Sequence, residues 1–265
     1  MFTVDKLVQP DSIEEAYSLL INNKRATVLG GCAFLKLGSR KIDTAIDLSK
    51  LNLDYITEHH DNIEIGAMAT FRDLETNDAL NKYFNAVIPK SVSNIIGVQF
   101  RNVVTVGASV FSKYGFSDLI TALLALDTDV ELCKGGRMPL EQYLNRPAEK
   151  DILTRVFIHK DDRKASYHSL RNSISDFPIL NAAVSKIGND WRIVVGARPT
   201  KATLAHKAAA ELAKGNLTPD MVKRAAKIAA EELSFGTNML ASAEYRTAMC
   251  EVLVTRAVTE VLACK

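Results

Sequence analysis

Two stretches of this chain run from an apolar strand into a turn of small residues, and both carry chemistry suited to an anion. The first is Val28-Leu29-Gly30-Gly31-Cys32-Ala33-Phe34-Leu35. The second is Gln99-Phe100-Arg101-Asn102-Val103-Val104-Thr105-Val106-Gly107-Ala108-Ser109, with Ser117-Asp118 following it. Small residues let a backbone approach a ligand closely, and N–H groups at a turn or helix start attract negative charge such as a diphosphate. Two such loops flanking one mixed domain would clamp the phosphates of a dinucleotide. Neither has the spacing G-x-G-x-x-G, and no βαβ unit surrounds either, which disfavours a Rossmann site.

Other chemistries find less support. No Ser/His/Asp arrangement and no pair of carboxylates stands out. The four cysteines, Cys32, Cys133, Cys250 and Cys264, are isolated, with no C-x-x-C pair and no nearby His, so no metal site is expected and an iron-sulfur cluster held by this chain alone is disfavoured. A formal charge of +2, from 33 basic and 31 acidic residues scattered together, gives no footprint for nucleic acid or an anionic membrane. No apolar run reaches the roughly 18 residues of a membrane span, and the start Met1-Phe2-Thr3-Val4-Asp5-Lys6 lacks a signal-peptide pattern. The expected location is the cytoplasm.

The elements that must position the turns are legible from patterning. With 47% apolar and 24% charged residues over 265 positions, the chain has material for a real core. Pro10-Asp11-Ser12 caps a helix over 13–20, and strands are expected at 26–29, 44–48, 63–67 and 128–133. Thr70 and Asp73 read as a capping pair for one helix over 70–80, and 117–126 is apolar nearly all round, the mark of a buried helix. After about residue 150 the pattern becomes antiparallel strands at 152–158, 166–170 and 191–195, then Ala-rich helices over 201–214, 218–233 and 242–262. That half reads as an independent α+β domain, one sheet with helices on one face.

In this setting the chain resembles the FAD-binding medium subunit of molybdenum hydroxylases, the group that includes xanthine dehydrogenase and carbon monoxide dehydrogenase. The family's A-G-G-T-D-L-like loop corresponds to Leu29-Gly30-Gly31-Cys32-Ala33-Phe34. Its R-N-x-x-T-I-G-G-N loop corresponds to Arg101-Asn102 with Thr105-Val106-Gly107-Ala108-Ser109, and its S-D-L-x-x-A-L-L-A-L-D run to Ser117-Asp118-Leu119 through Asp127. Pro10-Asp11-Ser12, Gly66-Ala67, Ser175-Asp176-Phe177-Pro178, Gly196-Ala197-Arg198-Pro199 and Ser242-Ala243-Glu244-Tyr245-Arg246 fall in matching order, so the resemblance covers nearly the whole chain. It implies an α+β fold: a two-subdomain, PCMH-like FAD-binding domain over 1–155 (about 1–57 and 58–155), then a smaller domain over 156–265 with an antiparallel sheet and three helices.

By the same resemblance the cofactor-binding residues are Val28, Leu29, Gly30, Gly31, Cys32, Ala33, Phe34 and Leu35 on one loop and Thr105, Val106, Gly107, Ala108 and Ser109 on the other. Ile95, Tyr114, Asp118 and His168 join them: Ile95 packing on the cofactor, Tyr114 gating the flavin face, Asp118 bonding the ribityl chain and His168 standing where relatives carry Lys. Arg101 is read as structural. Ala108, Ser109 and Cys32-Ala33 replace the usual Gly, Asn and Thr-Asp, so side-chain bonds are weakened while main-chain donors survive. Those donors are expected to lower the Cys32 pKa.

The function implied is electron transfer within a cytoplasmic heterotrimer. FAD, held non-covalently, takes electrons from [2Fe-2S] clusters on a small partner subunit and passes them to NAD or another acceptor, while a molybdopterin-binding large subunit carries the substrate chemistry. The alternative is a scaffold subunit of the same complex that has lost FAD, which the departures at Cys32, Ala33 and Ala108 favour. A free-standing oxidase of the vanillyl-alcohol-oxidase type is opposed by the short C-terminal domain and by the lack of a His or Cys for covalent attachment.

Overall fold

The computed structural model describes residues 2–215 and 217–264; Met1, Asn216 and Lys265 lie outside them. The chain opens with β1 (Thr3–Val8), α1 (Ile13–Asn22), β2 (Ala26–Leu29), β3 (Lys41–Asp47), β4 (Ile56–Glu58) and β5 (Asn62–Gly66). Short helices follow: α2 (Phe71–Thr76), α3 (Asp78–Lys82), α4 (Val87–Ser93), α5 (Val98–Arg101) and α6 (Val106–Phe111). After α7 (Asp118–Ala125) come β6 (Thr128–Leu132), β7 (Gly136–Pro139), α8 (Leu140–Asn145) and β8 (Leu153–His159). The last part holds β9 (Lys164–Leu170), β10 (Leu180–Ile187), β11 (Asp190–Gly196), β12 (Thr203–Leu204), α9 (His206–Ala213), α10 (Pro219–Glu232) and α11 (Ala243–Ala263). No described helix is long and apolar enough to cross a membrane.

These elements form two compact units. The first unit comprises Met1–Leu74, Gly97–Ser112 and Thr128–Ile158. It holds a parallel sheet in the order β1-β3-β2 and a second sheet in the order β4-β5-β8-β6-β7. Helix α1 starts as its sequence dictates: Ser12 Oγ accepts from Glu15 N–H at 3.1 Å while Glu15 Oε2 accepts from Asp11 N–H at 2.8 Å. It buries Ala16 and Leu20 against Ala26, Ile46 and Leu48. The last turn of α1 contains no basic residue, and Lys150 supplies the cation from elsewhere in the chain, its Nζ donating to the carbonyls of Leu20 and Asn23 at 3.3 Å.

Two expectations are corrected in this part of the chain. The helix expected over 70–80 begins on the Thr70/Asp73 pair, with Thr70 N–H donating to Asp73 Oδ2 at 2.8 Å, but it breaks at Asn77. There the Asn77 side chain accepts from Leu80 N–H at 3.1 Å and caps a separate helix, α3; Asn is among the strongest helix starters. Strand 152–158, grouped by pattern with the C-terminal half, pairs instead with β6 inside the first unit. Periodicity identifies a strand but not its neighbour.

The second unit comprises Glu75–Ile96, Lys113–Asp127 and His159–Lys265. Its antiparallel sheet runs β12-β11-β10-β9. Leu180, Ala182 and Val184 of β10 and Trp191, Ile193 and Val195 of β11 pack with the Ala-rich faces of α9, α10 and α11. The opposite face is not open. Asn181 accepts from Thr121 Oγ1 at 2.9 Å, Ser185 Oγ donates to the Ala125 carbonyl, and Arg192 donates to the Leu126 carbonyl at 2.6 Å, so α7 covers it. Helices therefore lie on both faces, a correction to the one-sided reading. All eight residues of α7 are buried, as its uniform hydrophobicity predicts.

The Ser242–Arg246 motif is accounted for within this unit. Ser242 caps α11 through Tyr245 N–H, and Arg246, 0% exposed, donates to the carbonyls of Ile179, Gly236 and Ala241 at 2.7–2.8 Å and to Asn238 Oδ1 at 2.7 Å. A buried guanidinium surrounded by carbonyl oxygens staples the connection between α10 and α11.

Candidate functional site

In the first unit the two small-residue turns meet. An added Cβ at Gly30 would stand 2.6 Å from the Ala108 methyl, and one at Gly31 only 1.6 Å from the Val103 carbonyl oxygen. Gly31 also has φ +74°, so no other residue fits without moving the second turn. Cys32 follows at φ +60°, a conformation that costs an L-residue about 1–2 kcal/mol.

Hydrogen bonding separates the turns. The turn that opens α6 is stitched to the segment after β5: Val106 N–H donates to the Ala69 carbonyl and Gly107 N–H to the Ala67 carbonyl, both at 2.8 Å, and Phe71 N–H donates to the Val104 carbonyl at 3.0 Å. Ala108 N–H goes to Thr105 Oγ1 at 3.3 Å and Ser109 N–H to the Thr105 carbonyl at 3.1 Å. Every N–H from Val106 to Ser109 is committed internally. By contrast, the N–H groups of Gly31, Cys32 and Ala33 have no partner among the described residues. The donors available to an anion lie on the first loop, while the second turn contributes the Ser109 hydroxyl, which also has no described partner, and the rigid floor against which Gly30 rests.

A cavity of about 380 Å³ in the same unit is lined by Val28, Leu29, Gly30, Thr105, Gly107 and Ala108, with Lys150 and Asp151 also on its wall. Phe34, 37% exposed, and Leu35 lead into a short 3-10 turn, Leu35–Leu37, where Lys36 N–H donates back to the Cys32 carbonyl at 3.1 Å. The Cys32 thiol does not behave as expected from its position. Burial pushes its pKa up, and the neighbouring Lys36 ammonium offsets this only in part. Arg101 is buried, 6% exposed.

Four further positions singled out by sequence lie in the second unit. Asp118 begins α7 behind its Ser117 cap and is 5% exposed; its Oδ1 accepts from the Tyr167 hydroxyl and from Asn181 Nδ2 at 3.2 Å, and the Arg171 guanidinium forms an ion pair with it at 2.7 Å. Tyr114 is 36% exposed and stacks on Phe116 at 5.0 Å, which in turn tilts against Phe177 at 4.7 Å. His168 Nε2 lies 2.8 Å from Glu260 Oε2, an ion-pair distance off the hydrogen-bonding axis, and Lys90 approaches the other oxygen of Glu260 at 3.6 Å. Ile95 is half-buried just after α4, its N–H donating to the Val92 carbonyl at 3.0 Å.

Residues 2–160 match the family described as the FAD binding domain in molybdopterin dehydrogenase, and residues 165–261 match the CO dehydrogenase flavoprotein C-terminal domain. The chain belongs to this flavoprotein family. It is a medium subunit of the molybdenum hydroxylase type, a component of oxidoreductase complexes. This medium subunit is similar to the nicotine 6-hydroxylase medium subunit of Paenarthrobacter nicotinovorans, 26% identical over 274 residues and covering 96% of each chain. It is also similar to the nicotinate dehydrogenase FAD-subunit of Eubacterium barkeri, 30% identical over 171 residues, 58% of this chain and 57% of that one. Its fold is that of a chain of carbon monoxide dehydrogenase from Hydrogenophaga pseudoflava, with a TM-score of 0.90, 22% identity and 99% of both chains covered.

The flavoprotein's own residues fit a dinucleotide. Three uncommitted N–H groups stand together on a loop with no side chain at Gly30 or Gly31, the kind of donor set an anionic group requires. Sequence reasoning passed over Tyr167, Arg171 and Asn181, which converge on Asp118. The available signal was Asn181, a polar residue inside a small apolar strand, Leu180–Ile187, that patterning did not identify.

Proposed function

We propose that this chain carries FAD as the electron-transfer subunit of a cytoplasmic, heterotrimeric molybdenum hydroxylase. Its partners in this reading are a molybdopterin-binding large subunit and a [2Fe-2S] small subunit, and the electrons pass to NAD or another acceptor. The observation that carries the reading is the set of uncommitted N–H groups at Gly31, Cys32 and Ala33, in a chain matched along nearly its whole length by flavoprotein domains.

In this reading Gly31, Cys32 and Ala33 donate to the diphosphate. Gly30, Gly107 and Ala108 keep the backbone close to it, Thr105 and Val106 hold the second turn, and Ser109 adds a hydroxyl donor. Val28, Leu29, Phe34 and Leu35 give the loop its apolar flanks. In the second unit Asp118 accepts from a ribityl hydroxyl, and Ile95, Tyr114 and His168 serve the flavin end. FAD, when bound, supplies redox chemistry that exchanges electrons singly with clusters and in pairs with a nicotinamide. The protein positions and shields, so no general acid or base is required of it.

The test is the visible spectrum of the purified chain before and after incubation with FAD. A flavin spectrum with about one FAD per chain, bleached by NADH, is expected. A folded but colourless chain that takes up no FAD would overturn the reading and leave the scaffold role in its place.

A further inference from the structure

Resting on that reading, we infer that Tyr167, Arg171 and Asn181 form a positioning set that presents one oxygen of Asp118 to a hydroxyl-bearing chain of the cofactor. All three side chains reach the same atom, Oδ1: Tyr167 and Asn181 donate hydrogen bonds to it and Arg171 pairs with it as the counter-charge. A carboxylate oxygen has two lone-pair sites, so the Tyr167 and Asn181 donors fill it. Oδ2 accepts from none of the described residues and retains solvent contact.

The arrangement solves a specific problem. An ionised carboxylate that is 5% exposed is costly unless it is paired and hydrogen-bonded. Arg171 supplies the charge, its side chain 9% exposed, while Asn181 is itself held by Thr121 at 2.9 Å. The Tyr167 phenol, pushed well above its ordinary value by burial and then by the Asp118 charge, stays protonated and remains a donor. With Oδ1 saturated, the carboxylate cannot rotate without breaking two hydrogen bonds and an ion pair, and Oδ2 is fixed in direction.

The chemistry also selects the ligand portion. An ionised oxygen accepts hydrogen bonds and repels anions, so Oδ2 suits a polyol such as the ribityl chain and rejects a phosphate. Tyr167, Arg171 and Asn181 therefore act through Asp118 on the flavin side of the cofactor and not on its ADP side.

The experiment compares FAD and ADP binding, by calorimetry, to the wild-type chain, Tyr167→Phe, Asp118→Asn and the double variant, with thermal melting of each ligand-free protein. Expected are a rise of about tenfold in the FAD Kd for each single variant, an unchanged ADP Kd, and a double variant no weaker than Asp118→Asn alone. Arg171→Lys, which keeps the charge but not the fork geometry, is the second probe should Tyr167→Phe fail to fold, and the same pattern is expected of it. An FAD Kd within about twofold of wild type, an equal loss of ADP binding, or effects that multiply in the double variant would overturn the inference. A wild-type chain that binds neither ligand overturns the flavin reading itself, and this inference with it.

Discussion

The two small-residue turns of the first unit carry nearly the same signal in sequence and do opposite things with their hydrogen-bonding groups. The Thr105–Ser109 turn commits its N–H groups to Ala67, Ala69 and Thr105, whereas Gly31, Cys32 and Ala33 commit none. Small residues permit close approach, but only the hydrogen-bond account tells whether the thing approached is another strand or a ligand. Gly107 is small because Ala67 lies against it; Gly31 is small because it is left-handed and pressed on Val103. In the proposed flavin site one turn is floor and the other is cradle.

That contrast can be broken most sharply at Gly31. Gly31→Ala places a Cβ 1.6 Å from the Val103 oxygen at φ +74°, so FAD retention should be lost and the apoprotein destabilised by about 3 kcal/mol or more, read by melting and by flavin release. Gly107→Ala brings a Cβ 2.7 Å from both the Cβ and the oxygen of Ala67. A loss of about 1–3 kcal/mol is expected in denaturant unfolding, with FAD affinity of the folded protein lowered far less than by Gly31→Ala. If this variant lost FAD without losing stability, the floor and cradle assignments would have to be exchanged.

Thr105→Val, which removes the acceptor for Ala108 N–H, should cost about 1 kcal/mol in stability and leave FAD bound. The smallest effect concerns Cys32. Because its thiol is raised above the ordinary range, less thiolate is present near neutral pH, so alkylation by iodoacetamide should be slower than for free cysteine and should accelerate as pH rises. Bound FAD should slow it further. Rapid alkylation indifferent to FAD would place Cys32 away from the cofactor.

Much of this was legible before folding. Strand β2 was read with its observed bounds, Ala26–Leu29, because a short apolar run ends abruptly at Gly30-Gly31. Helix α7 was read as buried because its residues are apolar on every side, and α10 because Thr218-Pro219 is a cap followed by a first-turn proline. Strand β1 was missed because Thr3–Val8 is an exposed edge without clear alternation. Strand β10 was missed because Asn, Ala and Ser weaken its propensity signal, although those residues serve the packing on α7.

Features local in sequence were thus determined by the sequence alone: caps, turn positions, uniformly apolar segments and the family pattern they compose. Tertiary structure decided whatever depends on partners far along the chain. It brought Ala67 and Ala69 to the second turn and left the first loop's donors uncommitted, gathered Tyr167, Arg171 and Asn181 on Asp118, and gave β8 its place beside β6. It also holds Phe84, Asn85 and Ala86 at φ +53° to +57°, with Asn85 accepting from Ala165 N–H at 3.2 Å, where no glycine marks the turn. A residue's type sets which conformations and bonds are open to it; the packed surroundings set which of them is taken, because only there are the competing partners present.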